Sequence, residues 1–419
     1  MKFIHAADIH LDSPLVGLAA YPDAPVEMLR TATRDAFVKL IDEAIAEAVD
    51  FMVIAGDLYD GNWKDYNTGH FFCREMGRLE RARIPVFLLF GNHDAESEMT
   101  RRLTLPSNVR VFDARKPTSF QLEPLRVALH GRSFKEAATT ENLAVGYPPA
   151  EPGWFNIGVL HTALEGNAAH AGYAPCSLAE LAARGYQYWA LGHVHEFAIL
   201  SEAPWVVFPG NLQGRHARET GPRGAVLVSV EDGEVIAVER LIVDVLRWQH
   251  LRVNLGGATD FEAVVRRIGQ GIDGLLAQLP NHQPVALRLT LEGATAAHGA
   301  LFGDAARLRA EVIGQALARG GDRLWIEKLR LDTRPPEGAG KARAEAIDDL
   351  ARVLAEAPHD AALLASLGEQ LRAFADKVPA ELLAAVPELA AVREGRFDAL
   401  LEEVSAGLLA RLQDDGDAQ

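Results

Sequence analysis

Six short apolar runs, nearly all ending in a cluster of carboxylate and imidazole side chains, constrain this chain more than any other feature. They are Phe3 to Ala7, Phe51 to Ala55, Val86 to Phe90, Ile157 to Leu160, Tyr188 to Leu191 and Val206 to Phe208. Each has the length of a strand and is too short for a buried helix. Between the first two, Phe37, Leu40, Ile41, Ala44, Ile45 and Ala48 recur at helical spacing, as a crossover between parallel strands requires. This alternation predicts an α/β domain with buried sheets and flanking helices. Val226 to Val230 and Val235 to Val238, joined through Asp232-Gly233, read as a hairpin closing that domain at residue 245.

The pattern then restarts. A strand (Leu251 to Leu255), helix (Phe261 to Leu279), strand (Val285 to Leu291), helix (Asp304 to Ala318) and strand (Leu324 to Leu331) predict a separate small α/β domain over residues 246–333. Residues 334–341, with Pro335-Pro336 and Gly338-Ala339-Gly340, have the composition of a linker. Over residues 342–419, apolar positions such as Leu350, Val353 and Leu354, or Leu363, Leu364, Leu367 and Leu371, recur at helical spacing among acidic residues, predicting a helical C-terminal region. The start meets Asp8 and His10 before any signal-peptide core, and no apolar run approaches membrane-spanning length, so a cytoplasmic protein without membrane contact is expected. Cys73 and Cys176 lie far apart, which predicts neither a disulfide framework nor a thiolate zinc site.

Read in chain order, the strand ends supply Asp8-Ile9-His10, Gly56-Asp57-Leu58-Tyr59-Asp60, Gly91-Asn92-His93-Asp94, His161 and Gly192-His193-Val194-His195. Side chains two apart on an extended segment leave the same side, so Asp8 with His10, and His193 with His195, aim at common points. Gly56, Gly91 and Gly192 are expected to permit the turns. One His-x-His pair is weak evidence in a chain with 14 histidines, but ordered clusters of the right ligand type at successive strand ends are not. The inventory fits two divalent cations. Asp57 lies between them, with Asp8, His10 and His195 on one and Asn92, His161 and His193 on the other. Oxygen and imidazole ligands without thiolate favour Mn, Fe, Co or Zn over Mg. Such a pair clamps phosphate oxygens through an in-line displacement, so phosphoester hydrolysis is the expected chemistry. His93 is surplus to both ligand sets and suits protonation of the departing oxygen, with Asp94 expected to hold its imidazole. Arg215 and His216 follow a strand and Pro209-Gly210 and are expected to contact the phosphate, whereas His5 is expected to pack within the sheet.

A net charge of −16 argues against a broad basic surface for DNA, because non-specific affinity comes from Lys and Arg neutralising phosphates. Two carboxylates facing two dications nevertheless leave the pocket itself positive. The charge is also uneven: residues 248–333 hold 10 basic and 9 acidic residues, whereas residues 334–419 hold 9 and 17. In the former, Arg266, Arg267, Arg307, Arg309, Arg319, Arg323, Lys328 and Arg330 fit either a track for a nucleic-acid backbone or a solvated helix face.

With these motifs in hand, residues 1–245 resemble the calcineurin-like metallophosphoesterase superfamily, whose Asp-x-His, Gly-Asp-x-x-Asp, Gly-Asn-His-Asp, His and Gly-His-x-His pattern they match. Ile4 to Leu11, the Gly-Asp-Leu-Tyr-Asp run and a small cap domain are similar to SbcD-type DNA repair exonucleases. Arg132 to Trp154, Pro209 to His216 and the acidic tail depart from that type and look closer to a YhaO-like branch. The resemblance implies a metallophosphoesterase β-sandwich flanked by helices, a manganese-dependent exonuclease and endonuclease of 3′-to-5′ polarity, and a homodimer through the first domain. It also implies a cap that positions DNA and C-terminal helices that dock onto an SbcC-like coiled-coil ATPase. A phosphodiesterase or phosphatase for small nucleotides or phosphoproteins is the rival reading, since such a site acts on the phosphate group.

Overall fold

The computed structural model describes residues 1–15, 26–61, 66–96, 103–164, 173–336 and 349–360, with scattered positions beyond. One six-stranded sheet runs in the order Glu234–Ile242 (β12), Gly224–Glu231 (β11), Lys2–Ala6 (β1), Phe51–Ala55 (β2), Val86–Leu89 (β3) and Val109–Val111 (β4). A second runs Thr118–Leu122 (β5), Val127–Gly131 (β6), Phe155–His161 (β7), Tyr188–Gly192 (β8), Trp205–Phe208 (β10) and Ala198–Glu202 (β9).

Strand alternation sorts the apolar side chains into layers. Ile4, Met52, Ile54, Val86 and Leu88 join Phe37, Leu40 and Ile41 of helix α1 (Val26–Ala46) and Phe72 and Met76 of α2 (Tyr66–Arg81). The intervening residues Phe3, Phe51, Val53 and Phe87 meet Leu129, Ile157, Val159 and Tyr188 of the second sheet. The result is a two-sheet sandwich with helices outside it. His5 is buried within the sandwich, its ring nitrogens 3.0 Å from Tyr188 Oη and from the Leu191 carbonyl, as its place in the strand predicts.

Parallel pairing decides where the polar clusters fall. β1, β2 and β3 are parallel neighbours, so the segments after them open along one edge. β7 and β8 are also parallel, with His161 opposite Gly192, and open on the same end of the sandwich. Helix α2 and strands β4, β5, β6 and β9 were not legible as apolar runs. The helix is short on apolar residues outside its buried face, and β4, β5 and β9 are half-exposed.

A three-stranded sheet follows, from Arg247–Asn254 (β13), Val285–Ala294 (β14) and Leu324–Arg334 (β15), covered by helices Phe261–Leu276 and Ala305–Gly320. Asp260 and Asp304 cap those helices by accepting from the Ala263 and Arg307 amides. β13 starts four residues before the expected Leu251 because Trp248 is needed at the junction: Leu246, Trp248 and Ala286 pack with Leu15, Leu29, Ala32 and Ala217. Arg247 also holds the buried Asp244 through two bonds of 2.8 Å. This sheet and its helices lie within one compact unit, Met1–Gly293 with Ala300–Thr333.

The second unit comprises Ala294–Gly299 and Arg334–Gln419. Residues 349–356 are helical, and Val392 is buried against Leu364, Leu371 and Leu401. Most of the expected linker and tail helices lie outside the described residues. Among the described residues no helix is long and apolar enough to cross a membrane.

Candidate metal centre

Four ligand candidates adopt the left-handed backbone region that side chains disfavour: Asp8 (φ 49°), His10 (46°), Asp57 (51°) and His193 (100°). Each such residue costs on the order of 1–3 kcal/mol and persists only where surrounding contacts over-determine it. Here the strand-end loops are tied to one another. The Asp8 and His10 amides donate to the Gly56 and Asp57 carbonyls at 3.0 Å, and the His193 amide donates to both Asp8 carboxylate oxygens at 3.1 and 3.0 Å. Gly56 makes the turn expected of it, at φ 99°. Gly91 and Gly192 serve close approach instead: a Cβ on Gly91 would lie 2.3 Å from Asp57 Oδ1, and one on Gly192 would lie 2.0 Å from the Ala55 carbonyl oxygen.

The seven ligand candidates converge in two groups. In one, His10 Nε2 and His195 Nε2 lie 3.2 Å apart, with Asp8 Oδ1 3.9 Å from the latter. His195 Nδ1 donates to Glu219 Oε1 at 2.7 Å, and His10 Nδ1 faces Asp60 Oδ1 at 3.6 Å. With both Nδ1 positions turned towards carboxylates, the two Nε2 lone pairs meet at one point beside Asp8, a donor set that a divalent cation satisfies. In the other group, His161 Nδ1 donates to the Ala55 carbonyl at 2.9 Å, leaving Nε2 3.0 Å from Asn92 Oδ1 and 3.4 Å from Asp57 Oδ2. The His193 ring stands 5.2 Å from that of His161. Asp57 Oδ2 is also 4.0 Å from His10 Nε2, which places this carboxylate between the groups.

Protonation follows from the same geometry. Burial, reinforced by the Arg215 charge, lowers the His10 pKa to about 4, so its ring is neutral. Burial would likewise lower His161, but the ionised Asp57 outweighs it and raises the pKa to about 9. Asp57 is held well below the usual carboxylate range because His161, His10 and His93 overcome its burial. Without metal, His161 and Asp57 thus form an ion pair.

The expected partnership of His93 with Asp94 is not what the structure forms. Asp94 is buried, and its oxygens accept from the amides of Leu58 (3.1 Å), Tyr59 (2.9 Å) and Gly91 (2.9 Å). It braces the Asp57 loop against the Gly91 turn. The carboxylate beside His93 is Asp60, whose Oδ1 is 3.3 Å from Nδ1. Asp60 also accepts from Ser13 Oγ at 2.7 Å and lies 3.5 Å from Arg215 Nη1. Arg215 therefore faces the site. His216 is more exposed, with Nε2 3.7 Å from Glu219 Oε1. Asp60 closes the Gly-Asp-Leu-Tyr-Asp motif, which by itself assigns it no role. Glu219 is not legible in the sequence, because its partner His195 lies 24 residues away and no local pattern joins them.

Residues 1–197 match the calcineurin-like phosphoesterase family, and residues 248–334 match the middle domain of metallophosphoesterase YhaO. The uncharacterized metallophosphoesterase YhaO of Bacillus subtilis (strain 168) is 35% identical over 297 residues, which span 70% of this chain and 72% of that one. The DNA double-strand break repair protein Mre11 of Methanopyrus kandleri is 26% identical over 307 residues, covering 65% of this chain and 63% of that protein. Its Sulfurisphaera tokodaii counterpart is 23% identical over 268 residues, covering 60% and 65%.

Proposed function

This chain belongs to the calcineurin-like metallophosphoesterases, in their YhaO-like group, and on that premise we propose that its substrate is DNA and that it acts as a manganese-dependent nuclease of 3′-to-5′ polarity. The observation that carries the DNA reading is the similarity to Mre11, which covers 65% of this chain, whereas the phosphoesterase family matches residues 1–197.

Asp8, His10 and His195 would hold one cation, and Asn92, His161 and His193 the other, with Asp57 between them. Bound there, the cations supply Lewis acidity towards the phosphoryl oxygens and an activated water. The chain's own residues do the rest. Arg215 places a guanidinium beside the site, 3.2 Å from Ser13 Oγ, where it offsets phosphate charge. The partly exposed His93 protonates the departing oxygen, while Asp60 orients its Nδ1 and stabilises the imidazolium. By the same resemblance we propose that the chain works as a homodimer with an SbcC-like coiled-coil ATPase docked on its C-terminal helices.

Purified chain and its His93→Ala variant, incubated with Mn²⁺ and end-labelled single- and double-stranded DNA alongside bis-p-nitrophenyl phosphate, test the substrate. DNA degradation that the variant loses supports the nuclease. Cleavage of the small diester with DNA intact, even after the ATPase is supplied, assigns a small-molecule phosphodiesterase instead.

A further inference from the structure

Glu219 is neither a ligand nor a substrate contact in the site described above, yet it is 7% exposed and gathers partners from several directions. Oε1 accepts from His195 Nδ1 at 2.7 Å, while Oε2 accepts from the Arg215 amide at 2.6 Å and from Asn211 Nδ2 at 3.1 Å. An imidazole offers Nε2 to a cation only when Nδ1 carries the proton. An anionic acceptor at Nδ1 fixes that tautomer, orients the ring and makes Nε2 more basic.

The loop from Pro209 to Glu219 has no regular structure, so its position is set from outside, and the middle sheet supplies the support. Gln213 Oε1 accepts from the Val245 and Leu246 amides at 2.9 and 3.3 Å, and its Nε2 donates to the Leu246 carbonyl at 2.6 Å. Trp248 Nε1 donates to the Gly214 carbonyl at 2.8 Å, and the Gly221 amide donates to the Trp248 carbonyl at 3.1 Å. A Cβ on Gly214 would lie 2.7 Å from the Glu219 carbonyl oxygen and 2.9 Å from Trp248 Cδ1, so ring, loop and Glu219 backbone are in direct contact. His161, by contrast, is oriented by the Ala55 carbonyl at the end of β2.

We propose that Glu219 is the positioning residue for the cation held by Asp8, His10 and His195, and that the Gln213–Trp248 junction with β13 sets where Glu219 stands. Docking of the middle sheet is thereby coupled to one cation of the two. The inference rests on the two-cation reading of the site and is independent of the choice of DNA as substrate.

Calorimetric titration of the metal-free full chain with Mn²⁺, with thermal unfolding followed in parallel, tests it. Glu219→Gln should bind one Mn²⁺ about 10–100-fold more weakly and the other as before. Trp248→Phe keeps an aromatic ring at the junction but removes the indole donor, and should weaken the same site to a smaller degree. Wild-type binding of both ions by Glu219→Gln, or equal weakening of both in a folded variant, overturns the proposal. If the two-cation reading itself were wrong, the unmutated chain would bind fewer than two.

Discussion

The two carboxylates nearest His93 in sequence and in space have different environments, and their variants should separate accordingly. Asp94→Ala leaves three backbone amides without their acceptor, so stability should fall on the order of 3 kcal/mol, read as a lower Tm. Asp60→Asn should fold and bind metal yet lose rate. His93→Ala should lose about 10²–10⁴-fold on DNA and less on bis-p-nitrophenyl phosphate, whose phenolate departs without needing a proton. Equal losses on both substrates would remove His93 from the acid role. A further residue-scale prediction concerns pH. Because the folded pKa of His161 is raised from 6.5 to about 9, its protonation stabilises the metal-free chain below pH 6.5, and that contribution is lost as pH rises through 9. A cation must displace the same proton, so Mn²⁺ affinity should climb over that window. The gap in Tm between metal-loaded and metal-free protein should therefore widen from pH 6.5 to 9; a constant gap would show that His161 does not exchange a proton for metal.

At the scale of elements, the strand-end glycines give a sharper test than the ligands. Gly192→Ala would press a Cβ to 2.0 Å from the Ala55 carbonyl oxygen, which is also the acceptor for His161 Nδ1, and backbone facing backbone has little room to yield. Loss of metal binding together with marked destabilisation is expected, whereas Gly233→Ala, at φ 80° with open space around it, should cost about 1 kcal/mol and leave metal binding intact. If Gly192→Ala bound metal normally, the tight strand-end geometry would not be what orients His161. The same contrast explains what could be read in advance. β1, β2, β3, β7 and β8 announce themselves as buried apolar runs with ligands at or just beyond their ends, whereas β6 is equally buried but its apolar run stops after three residues at His130. The half-exposed β5 and β9 carry no such run. Asp60 and Asp94 share similar local context, and only the fold reveals which one faces His93. Glu219 reaches His195 through a loop whose path depends on Trp248, and such long-range packing has no local sequence signature.

For the whole molecule, the proposed polyanionic substrate stands against an acidic chain. The middle sheet relieves little of it. Among the described residues Arg319 pairs with Asp273, while Arg267 donates to the Asn254 and Gly256 carbonyls and Arg323 to that of Pro280. Three of the eight side chains that suggested a basic track are thus engaged within the protein, and two bound cations together with Arg215 would supply positive charge at the site itself. DNA binding should then depend on metal more than on salt. Fluorescence anisotropy with a labelled oligonucleotide and the slow His93→Ala variant should show affinity that collapses on adding EDTA. It should also show only a shallow decline with salt, since each neutralised phosphate contributes a slope of about −0.9 in log K against log salt. Tight binding that survives EDTA but falls steeply with salt would mean that the DNA lies on an extended basic surface, and the metal centre would then be an incidental contributor to affinity.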